Sequence, residues 1–452
     1  MAEVTSLRER ILGIPSTEGV EALAAEVREI AYPLERPRDL DPLLKQIGDA
    51  RFVLLGEATH GTSEFYLWRQ EISERLISEK DFSFIAVKGD WPDCYRVNRY
   101  VKGMPDAGES AYDVLHAFNR WPTWMWANRE IVTLAEWLRK HNANLPEHKQ
   151  VGFYGLDVYS LWDSMRAVIG YLERMDPEAA EHAKRSYACF EPYAEDAQDY
   201  AWATLFVPTS CQKEAVSMLT ELRRNLPSYP QDGRESQFNA EQNALIVKNA
   251  EDYYREMVRG GAESWNVRDR HMVETLNRLM QFHGPDAKAI VWEHNTHIGD
   301  ARFTDMARDG MVNVGELVRE QHDQEGVVLV GFGTHRGTVI AGSAWDAPMQ
   351  RMAVPPARAG SWEDVLHVAD PTNKLLILPQ AQEHPRFLEP RGHRAIGVVY
   401  NPAHEHYGNY VPTVLPRRYD AFLYFEETRA VFPLHIAVEE IEEVPETYPF
   451  NV

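Results

Sequence analysis

The sequence predicts an α/β fold with a mostly parallel central sheet flanked by helices and interrupted by a helical insertion. One observation is a recurring unit: a short apolar run, a loop with polar or charged residues, and a helix-like pattern. Another is that runs such as Phe52–Leu55 show no alternation, which is typical of strands buried on both faces of a parallel sheet. The third is a long polar helical stretch at 161–261 with few strand signals.

Apolar runs mark the predicted strands and divide the chain into segments. Residues 1–160 are predicted to form the first part of the α/β core, 161–261 the helical insertion, and 262–345 the second part of the core. Residues 346–452 are predicted to form a C-terminal α+β region that completes the fold. The predicted strands lie at 52–55, 84–87, 151–157, 289–292 and 327–332, with further β-like runs at 375–378, 396–400 and 421–425.

The composition restricts the classes of partner. The 452 residues carry a formal net charge of −22, which argues against nucleic acid and anionic membranes, because both bind concentrated Lys and Arg. No apolar run approaches the roughly 18 residues of a membrane span, and the N-terminus shows no signal-peptide segment. The three cysteines are far apart, so the sequence predicts no disulfide framework and a reducing, cytoplasmic compartment.

Glu57 and His60 lie in the turn GEATHG, directly after the Phe52–Leu55 strand. Ligands of α/β proteins bind where strands end and helices begin. A histidine can take a proton from water near neutral pH, and a carboxylate three residues before it can orient the imidazole. The turn therefore predicts His60 as a general base and Glu57 as its partner, against the alternative of a capping glutamate and a surface histidine.

Polar residues also follow the other predicted strands. Because the carboxyl ends of parallel strands face the same way, we expect these groups to converge on one cleft with Glu57 and His60. They are Lys88 and Asp90, Asp157, His294 and His297, and, as a further candidate, His335.

His294 and His297 form an H-x-x-H pair after the fourth predicted strand. Such a pair can supply two metal ligands, or one catalytic group and one substrate-binding donor. The sequence has no HExxH helix, so we expect no metal and no other cofactor. If a metal binds, its predicted ligands are Glu57, His60, His294 and His297.

Arginines and a tryptophan provide candidate contacts to a small-molecule substrate. An arginine can hold a carboxylate or polarise a carbonyl, and a tryptophan can wall a pocket for a bulky apolar ligand. Ser63 is not predicted as a nucleophile, because GTSEF lacks the G-x-S-x-G elbow. The candidate substrate-binding residues are Arg69, His297, Asp90, Trp91, Arg268 and Arg270.

The ordered motifs GEATHG, AVKGDWPDCYRVNRYV, YGLDVYSL, WNVRDRHM, WEHNTHIGDAR, GFGT and RAIGVVYNP resemble the erythromycin esterase family, which also includes succinoglycan biosynthesis proteins. The resemblance implies an α/β core with a helical insertion. It also implies hydrolysis of an ester or lactone, as in members that open macrolide antibiotics and confer resistance. By resemblance, His60 is the general base beside Glu57, Arg69 matches the family's arginine, and His294 and His297 match its later histidine pair.

One residue departs from the family pattern. Members usually read AVEGDWPD after the second strand, with an active-site glutamate, whereas this chain has Lys88 in AVKGDWPD. A cation there can pair with Glu57 and remove it from its role, or lower the pKa of His60 and weaken it as a base. Lys88 can equally be a catalytic group itself or an inactivating replacement.

Three functions follow from these observations. The first is a hydrolase that cleaves an ester or lactone by His60-activated water, with His294, His297 and Arg69 stabilising the oxyanion. The second is a biosynthetic lyase, cyclase or transferase of the same fold, acting on a natural product with Lys88 in a working role. The third is a catalytically silenced ligand-binding protein. The sequence does not predict an oligomeric state.

Overall fold

A nine-stranded sheet forms the centre of the protein in a computed structural model that describes residues 17–193, 200–203, 210–229 and 233–435. Its strand order is β1-β8-β11-β6-β2-β5-β3-β4, with β7 paired to β6. The strands are β1 (Ala31–Pro33), β2 (Phe52–Leu55), β3 (Phe84–Asp90), β4 (Gly152–Asp157), β5 (Ala289–Trp292), β6 (Val327–Gly342), β7 (Met349–Val354), β8 (Lys374–Ile377) and β11 (Ala421–Thr428). A separate antiparallel pair contains β9 (Arg391–Arg394) and β10 (Tyr410–Thr413).

The central part of the sheet is parallel, as the sequence predicted. The strands β11, β6, β2, β5, β3 and β4 pair in parallel with their neighbours, whereas β1, β8 and β7 pair antiparallel. Every residue of β2, β3, β4 and β5 is buried, which explains the unbroken apolar character of β2 and β5 and of the first four residues of β3. The carboxyl ends of these four strands therefore meet at one edge of the sheet.

Helices cover both faces of the sheet and bury two large apolar clusters against it. None of the helices in the described parts of the chain is both long and apolar enough to cross a membrane. The helices are α1 (Thr17–Ile30), α2 (Asp41–Ile47), α3 (Ser63–Lys80), α4 (Trp91–Val101), α5 (Ala111–His116), α6 (Arg129–Asn142), α7 (Leu161–Met175), α8 (Pro177–Tyr187), α9 (Gln212–Asn225), α10 (Arg234–Met257), α11 (Glu263–His283), α12 (Asn295–Ile298), α13 (Val314–His322), α14 (Trp362–Ala369), α15 (Glu405–Gly408) and α16 (Leu415–Arg418).

The stretch predicted as a helical insertion contains α7 to α10, which share a hydrophobic cluster of their own. In this region Cys189 and Cys211 form a disulfide, with their Cα atoms 5.9 Å apart. The expectation that no disulfide forms was wrong, because helix packing brings together two cysteines that lie 22 residues apart in sequence. Cys94 is free and buried. The four-segment division itself stays a prediction, and its two ends, residues 1–16 and 436–452, lie outside the described residues.

Three predicted strand boundaries differ from the structure. The strand β3 continues to Asp90, so Lys88 lies within a strand instead of in a loop. The strand β6 continues to Gly342, which places His335 in mid-strand. The apolar run at 396–400 is not a strand; it makes isolated bridges through Ile396 and Val399. Ile396 and Tyr400 of this run are buried without belonging to a strand, whereas Val399 is 39% exposed.

Gly61 is expected to be required for the close approach of the GEATHG turn to β6. An added Cβ would lie 2.1 Å from the carbonyl oxygen of Ile340, which is backbone and cannot rotate away. We expect Gly61→Ala to destabilise the protein by about 1–3 kcal/mol, as overpacking does. The midpoint of urea unfolding tests this expectation. Gly170→Ala is the matched control, since its added Cβ meets nothing within 4 Å and it lies in helix α7; equal loss in both variants would contradict the packing argument.

Candidate active site

The carboxylate of Glu57 is held from two sides at the carboxyl end of β2. Its Oε2 accepts a hydrogen bond from Nη2 of Arg69 at 2.7 Å, and its Oε1 accepts one from Nδ1 of His60 at 2.7 Å. Arg69 projects from α3, is fully buried, and lies 4.5 Å and 4.6 Å from the ring centroids of Tyr66 and Trp292. The sequence predicted that Arg69 contacts substrate, but the structure places it behind Glu57 and pairs it with that carboxylate.

His60 is a neutral imidazole whose tautomer follows from its partners. A carboxylate can only accept, so Nδ1 carries the proton and donates it to Glu57, which leaves Nε2 as an acceptor. Burial lowers the pKa of His60 well below its ordinary value, and the cations Lys88, Arg268 and Arg69 lower it further. His60 lines the cleft described below. It is thus available as a base at neutral pH.

Lys88 contacts the other nitrogen of the same ring. Its Nζ lies 3.2 Å from Nε2 of His60, so the amine donates and the imidazole accepts. Burial and, secondarily, Arg268 lower the pKa of Lys88 from 10.5 to about 8. The structure does not pair Lys88 with Glu57: the amine contacts His60, and the carboxylate is bound by Arg69 and by the other nitrogen of His60.

His294 caps the short helix α12 and faces His60. Its Nδ1 accepts the backbone N–H of Thr296 at 3.2 Å, so the neutral ring carries its proton on Nε2. Burial and the neighbouring His60 lower its pKa, which keeps the ring neutral. The Nε2 has no hydrogen-bond partner among the described residues, and the ring centroids of His60 and His294 are 4.8 Å apart. His294 thus offers a buried donor beside the base.

His297 is fixed by two residues of α11. Its Nδ1 donates to the Asp269 carboxylate, at 2.9 Å from Oδ1, and its ring stacks on Trp265 at a centroid distance of 4.5 Å. Burial lowers the pKa of His297, so this imidazole is also neutral. Because it lines the cleft, its unbonded edge is placed for contact with a ligand.

Two of the three cations that line the cleft are already paired. Arg268 donates to Asp157 at 2.9 Å and 2.6 Å, and although burial opposes ionisation, this guanidinium holds the pKa of Asp157 below its usual range. Arg120 donates to both oxygens of Asp90. Burial nevertheless raises the pKa of Asp90 to about 6. Within the described chain, Lys88 is the cleft cation with no carboxylate in salt-bridge contact.

Glu293, at the end of β5, is a buried acid that the predicted site omitted. It is 1% exposed, and neither carboxylate oxygen has a hydrogen-bond partner in the described parts of the chain. Burial raises its pKa to about 8, while Lys88 acts in the opposite direction. A glutamate directly before the H-x-x-H pair was the available signal, but its burial could not be seen from the sequence.

A cleft of about 320 Å³ with aromatic walls lies beside these groups. Its floor is polar, with His60, Lys88 and His294, and its sides come from the segment before α6, from α11, from the β6–β7 hairpin and from the run at 395–398. The aromatic lining residues are Phe118, Trp121, Trp126, Tyr159, Trp265 and Trp345. The expectation that strand-end residues converge on one cleft therefore holds for Lys88, Asp90, Asp157, His294 and His297.

Three predicted residues lie elsewhere. Arg270 is half-exposed and pairs with Glu263, because it faces away from the cleft on α11. Trp91 is fully buried in the core, stacked on Tyr95 and Tyr154, with its indole N–H donated to Asn239. The structure therefore places these two predicted substrate-binding residues outside the cleft.

His335 is the third, and it belongs to a different cluster. Its ring stacks on His367 with centroids 3.9 Å apart, and Nδ1 of His367 lies 2.8 Å from Glu426. Among the described residues, these three are the group whose metal-ligand atoms converge within 4.8 Å. The alternative metal set of Glu57, His60, His294 and His297 is not gathered in that way.

The fold and the site define an α/β protein with a carboxylate-oriented, neutral histidine at the carboxyl edge of its sheet. The family model described as erythromycin esterase matches residues 77–428. The chain therefore belongs to the erythromycin esterase family.

Named relatives agree with this membership. The putative hydrolase YbfO of Bacillus subtilis (strain 168) is 23% identical over 424 residues, covering 86% of each chain. Erythromycin esterase type II of Escherichia coli is 27% identical over 155 residues, 33% of this chain and 35% of that protein. A mutant of the erythromycin esterase EreC, in its open conformation, shares the fold, with a TM-score of 0.65, 16% identity, and coverage of 88% of this chain and 97% of its own.

The Arg69–Glu57 pair is expected to be essential for stability. Glu57→Gln leaves a buried guanidinium without its counter-charge, a change that costs about 3–5 kcal/mol. Adding Arg69→Met to that variant should restore part of the loss, because the orphaned charge is removed. Urea unfolding followed by tryptophan fluorescence measures both variants. The exposed Arg336–Glu427 pair provides the control Glu427→Gln, expected to cost no more than about 1 kcal/mol; a double variant less stable than Glu57→Gln would contradict the pairing argument.

Glu293 is expected to make stability depend on pH. Its pKa rises from 4.5 to about 8 on folding, so between these values the folded state binds more protons than the unfolded state. Stability contributed by this group is therefore present below pH 4.5 and is lost as the pH rises toward 8. Glu293→Gln should remove this loss, so its stability advantage over the wild type should grow from about pH 5 to about pH 8. Urea midpoints at the two pH values test this; an equal difference at both would refute it.

Proposed function

We propose that the protein hydrolyses a carboxylic ester or lactone by attack of water activated by His60. The observation that carries the proposal is the Arg69–Glu57–His60 chain, which orients a neutral base toward the cleft. Family membership supports a hydrolase-like activity.

In the proposed reaction, Nε2 of His60 takes a proton from water as the water oxygen bonds to the carbonyl carbon. The carbonyl oxygen becomes an oxyanion, and two donors lie beside His60 to stabilise it: the Lys88 ammonium and Nε2–H of His294. Collapse of the intermediate breaks the ester C–O bond, and the leaving oxygen takes the proton from His60. His60 thus passes the proton that it takes from water to the leaving oxygen and ends the reaction neutral.

In this mechanism Lys88 changes its hydrogen-bond partner when substrate binds. Its amine donates to Nε2 of His60, whose lone pair must accept the proton of the attacking water. A substrate carbonyl oxygen offers that donor a new partner and releases His60 for water. Lys88 then supplies the positive charge, while Arg268 and Arg120 remain paired with their own carboxylates.

The cleft favours a bulky, largely apolar ester. Six aromatic side chains line it, and the paired arginines leave little free charge for an anionic ligand. Erythromycin and other macrolide lactones are the first substrates to test, because relatives bear that name. Smaller aromatic esters complete the panel.

The test is a lactone and ester screen followed by kcat/KM measurement across pH. We expect His60→Ala to lower kcat/KM by about 10²–10⁴-fold. Because the pKa of His60 is well below 6.5, activity should persist at mildly acidic pH; because the pKa of Lys88 is about 8, it should fall above that pH. Lys88→Arg should move the alkaline fall to higher pH, since arginine stays protonated.

Controls separate this mechanism from its alternatives. Arg270→Ala, which alters a residue outside the cleft, should leave the rate unchanged. Lys88→Glu, which introduces the usual family residue, should lower the rate; a rise would show that Lys88 suppresses hydrolysis. A stable acyl adduct on Ser63 would overturn water attack, although that hydroxyl is buried and donates to Glu130 at 2.5 Å.

A further inference from the structure

Four side chains form a continuous relay that ends in an amine. Arg69 donates to Glu57, Nδ1 of His60 donates to Glu57, and Lys88 lies 3.2 Å from Nε2 of His60. This is the order of a nucleophile, a base and an orienting carboxylate, with the lysine amine in the place of the nucleophile. We propose that Lys88 is a nucleophilic amine that condenses with an aldehyde or ketone to form an imine, an activity beyond the ester hydrolysis proposed above.

The surroundings of Lys88 differ from those of the other buried lysines in the described chain. Lys102 pairs with Glu235 at 2.7 Å, and Nζ of Lys374 donates to three backbone carbonyls. Lys88 is 8% exposed, contacts a base instead of a carboxylate, and lines a cleft large enough for a ligand. A buried lysine with a base and an accessible ligand space is the arrangement that imine-forming lysines require.

Desolvation keeps a reactive fraction of this amine neutral. Burial lowers the pKa of Lys88 to about 8, so neutral amine is present near physiological pH. The pKa of Lys374 is lowered to about 8 as well, also by burial, yet that amine is enclosed by carbonyl oxygens. Lys88 and Lys374 have similar pKa values, but only Lys88 lies beside His60. A comparison of their reactivity therefore distinguishes the effect of the pKa from the effect of the neighbouring imidazole.

The condensation balances without an external oxidant or reductant. His60 takes a proton from the Lys88 ammonium, and the amine lone pair forms a C–N bond to the carbonyl carbon. The oxygen receives that proton, and His60 removes a second proton from nitrogen to give the carbinolamine. Returning this proton to the hydroxyl releases water as the C–O bond breaks, which leaves a protonated imine on Lys88.

The aromatic walls indicate the class of carbonyl compound. Trp121, Trp126 and Trp265 present flat apolar surfaces around the cleft, and no cation remains unpaired there apart from Lys88, within the described residues. An uncharged aromatic aldehyde or ketone fits this lining better than a small anionic keto acid. Benzaldehyde is therefore the probe.

The experiment incubates the full-length protein with benzaldehyde and sodium cyanoborohydride, which reduces an imine to a stable benzyl amine. Peptide mass mapping locates the label. We expect Lys88 to be labelled faster than any other lysine and faster than in urea-unfolded protein, with a rate that rises up to a pH of about 8. Lys374 is expected to remain unlabelled in the folded protein.

Variants test the role of the relay. Lys88→Arg should abolish the label at that position, Lys374→Arg should leave it intact, and His60→Gln should slow it by about 100-fold, the lower range for acid–base assistance. The proposal is overturned if Lys88 in folded wild type is labelled no faster than in unfolded protein, or if His60→Gln reacts at the wild-type rate. The comparison of folded with unfolded wild type decides the matter even where a variant does not fold. Labelling of Lys88 is measured by mass spectrometry, so it does not depend on whether the protein has esterase activity.

Discussion

The site depends on one buried negative charge, the carboxylate of Glu57. A carboxylate that is 2% exposed must be paired, and helix α3 provides the partner by placing Arg69 behind it. The same helix positions Tyr66, whose hydroxyl donates to the backbone carbonyl of His60 at 3.0 Å and whose ring covers the guanidinium. The turn, the helix and the base are therefore fixed together, and the orientation of the imidazole is a consequence of charge pairing in the core.

Ion pairs also determine which charged groups in the cleft remain without a partner. Arg268 and Arg120 are each neutralised by a carboxylate at a strand end, Asp157 and Asp90. Lys88 has no such partner in the described chain, and the unpaired acid Glu293 lies at the end of the neighbouring strand β5. Burial favours the neutral forms of Glu293 and Lys88. It raises the pKa of the Glu293 carboxyl to about 8 and lowers the pKa of the Lys88 amine to about 8. The acid and the amine therefore have similar pKa values.

The sequence predicts what depends on local patterns and misses what depends on long-range packing. Buried strands such as β2 and β5 are visible as apolar runs, and the polar residues after them had to converge once the sheet was parallel. The direction of a helix face was not visible, so Arg270 was assigned to the site together with Arg268, two residues away on α11. Trp91 was misassigned for a related reason, because a tryptophan near a site is indistinguishable in sequence from one in the core. The Cys189–Cys211 disulfide likewise depends on how the insertion helices pack.

The role of Lys88, at the position where the sequence resemblance implies a glutamate, can now be weighed against its surroundings. The sequence left open that Lys88 removes Glu57 from its role by pairing with it. The structure shows a different arrangement, in which Arg69 and His60 bind the two oxygens of Glu57 and Lys88 contacts His60. The amine instead contacts the base from the side opposite Glu57 and lowers the pKa of His60 together with burial. The imidazole is therefore less basic but not displaced, and an amine lies beside it. The lysine at position 88 leaves intact the Arg69–Glu57–His60 contacts that orient the ring.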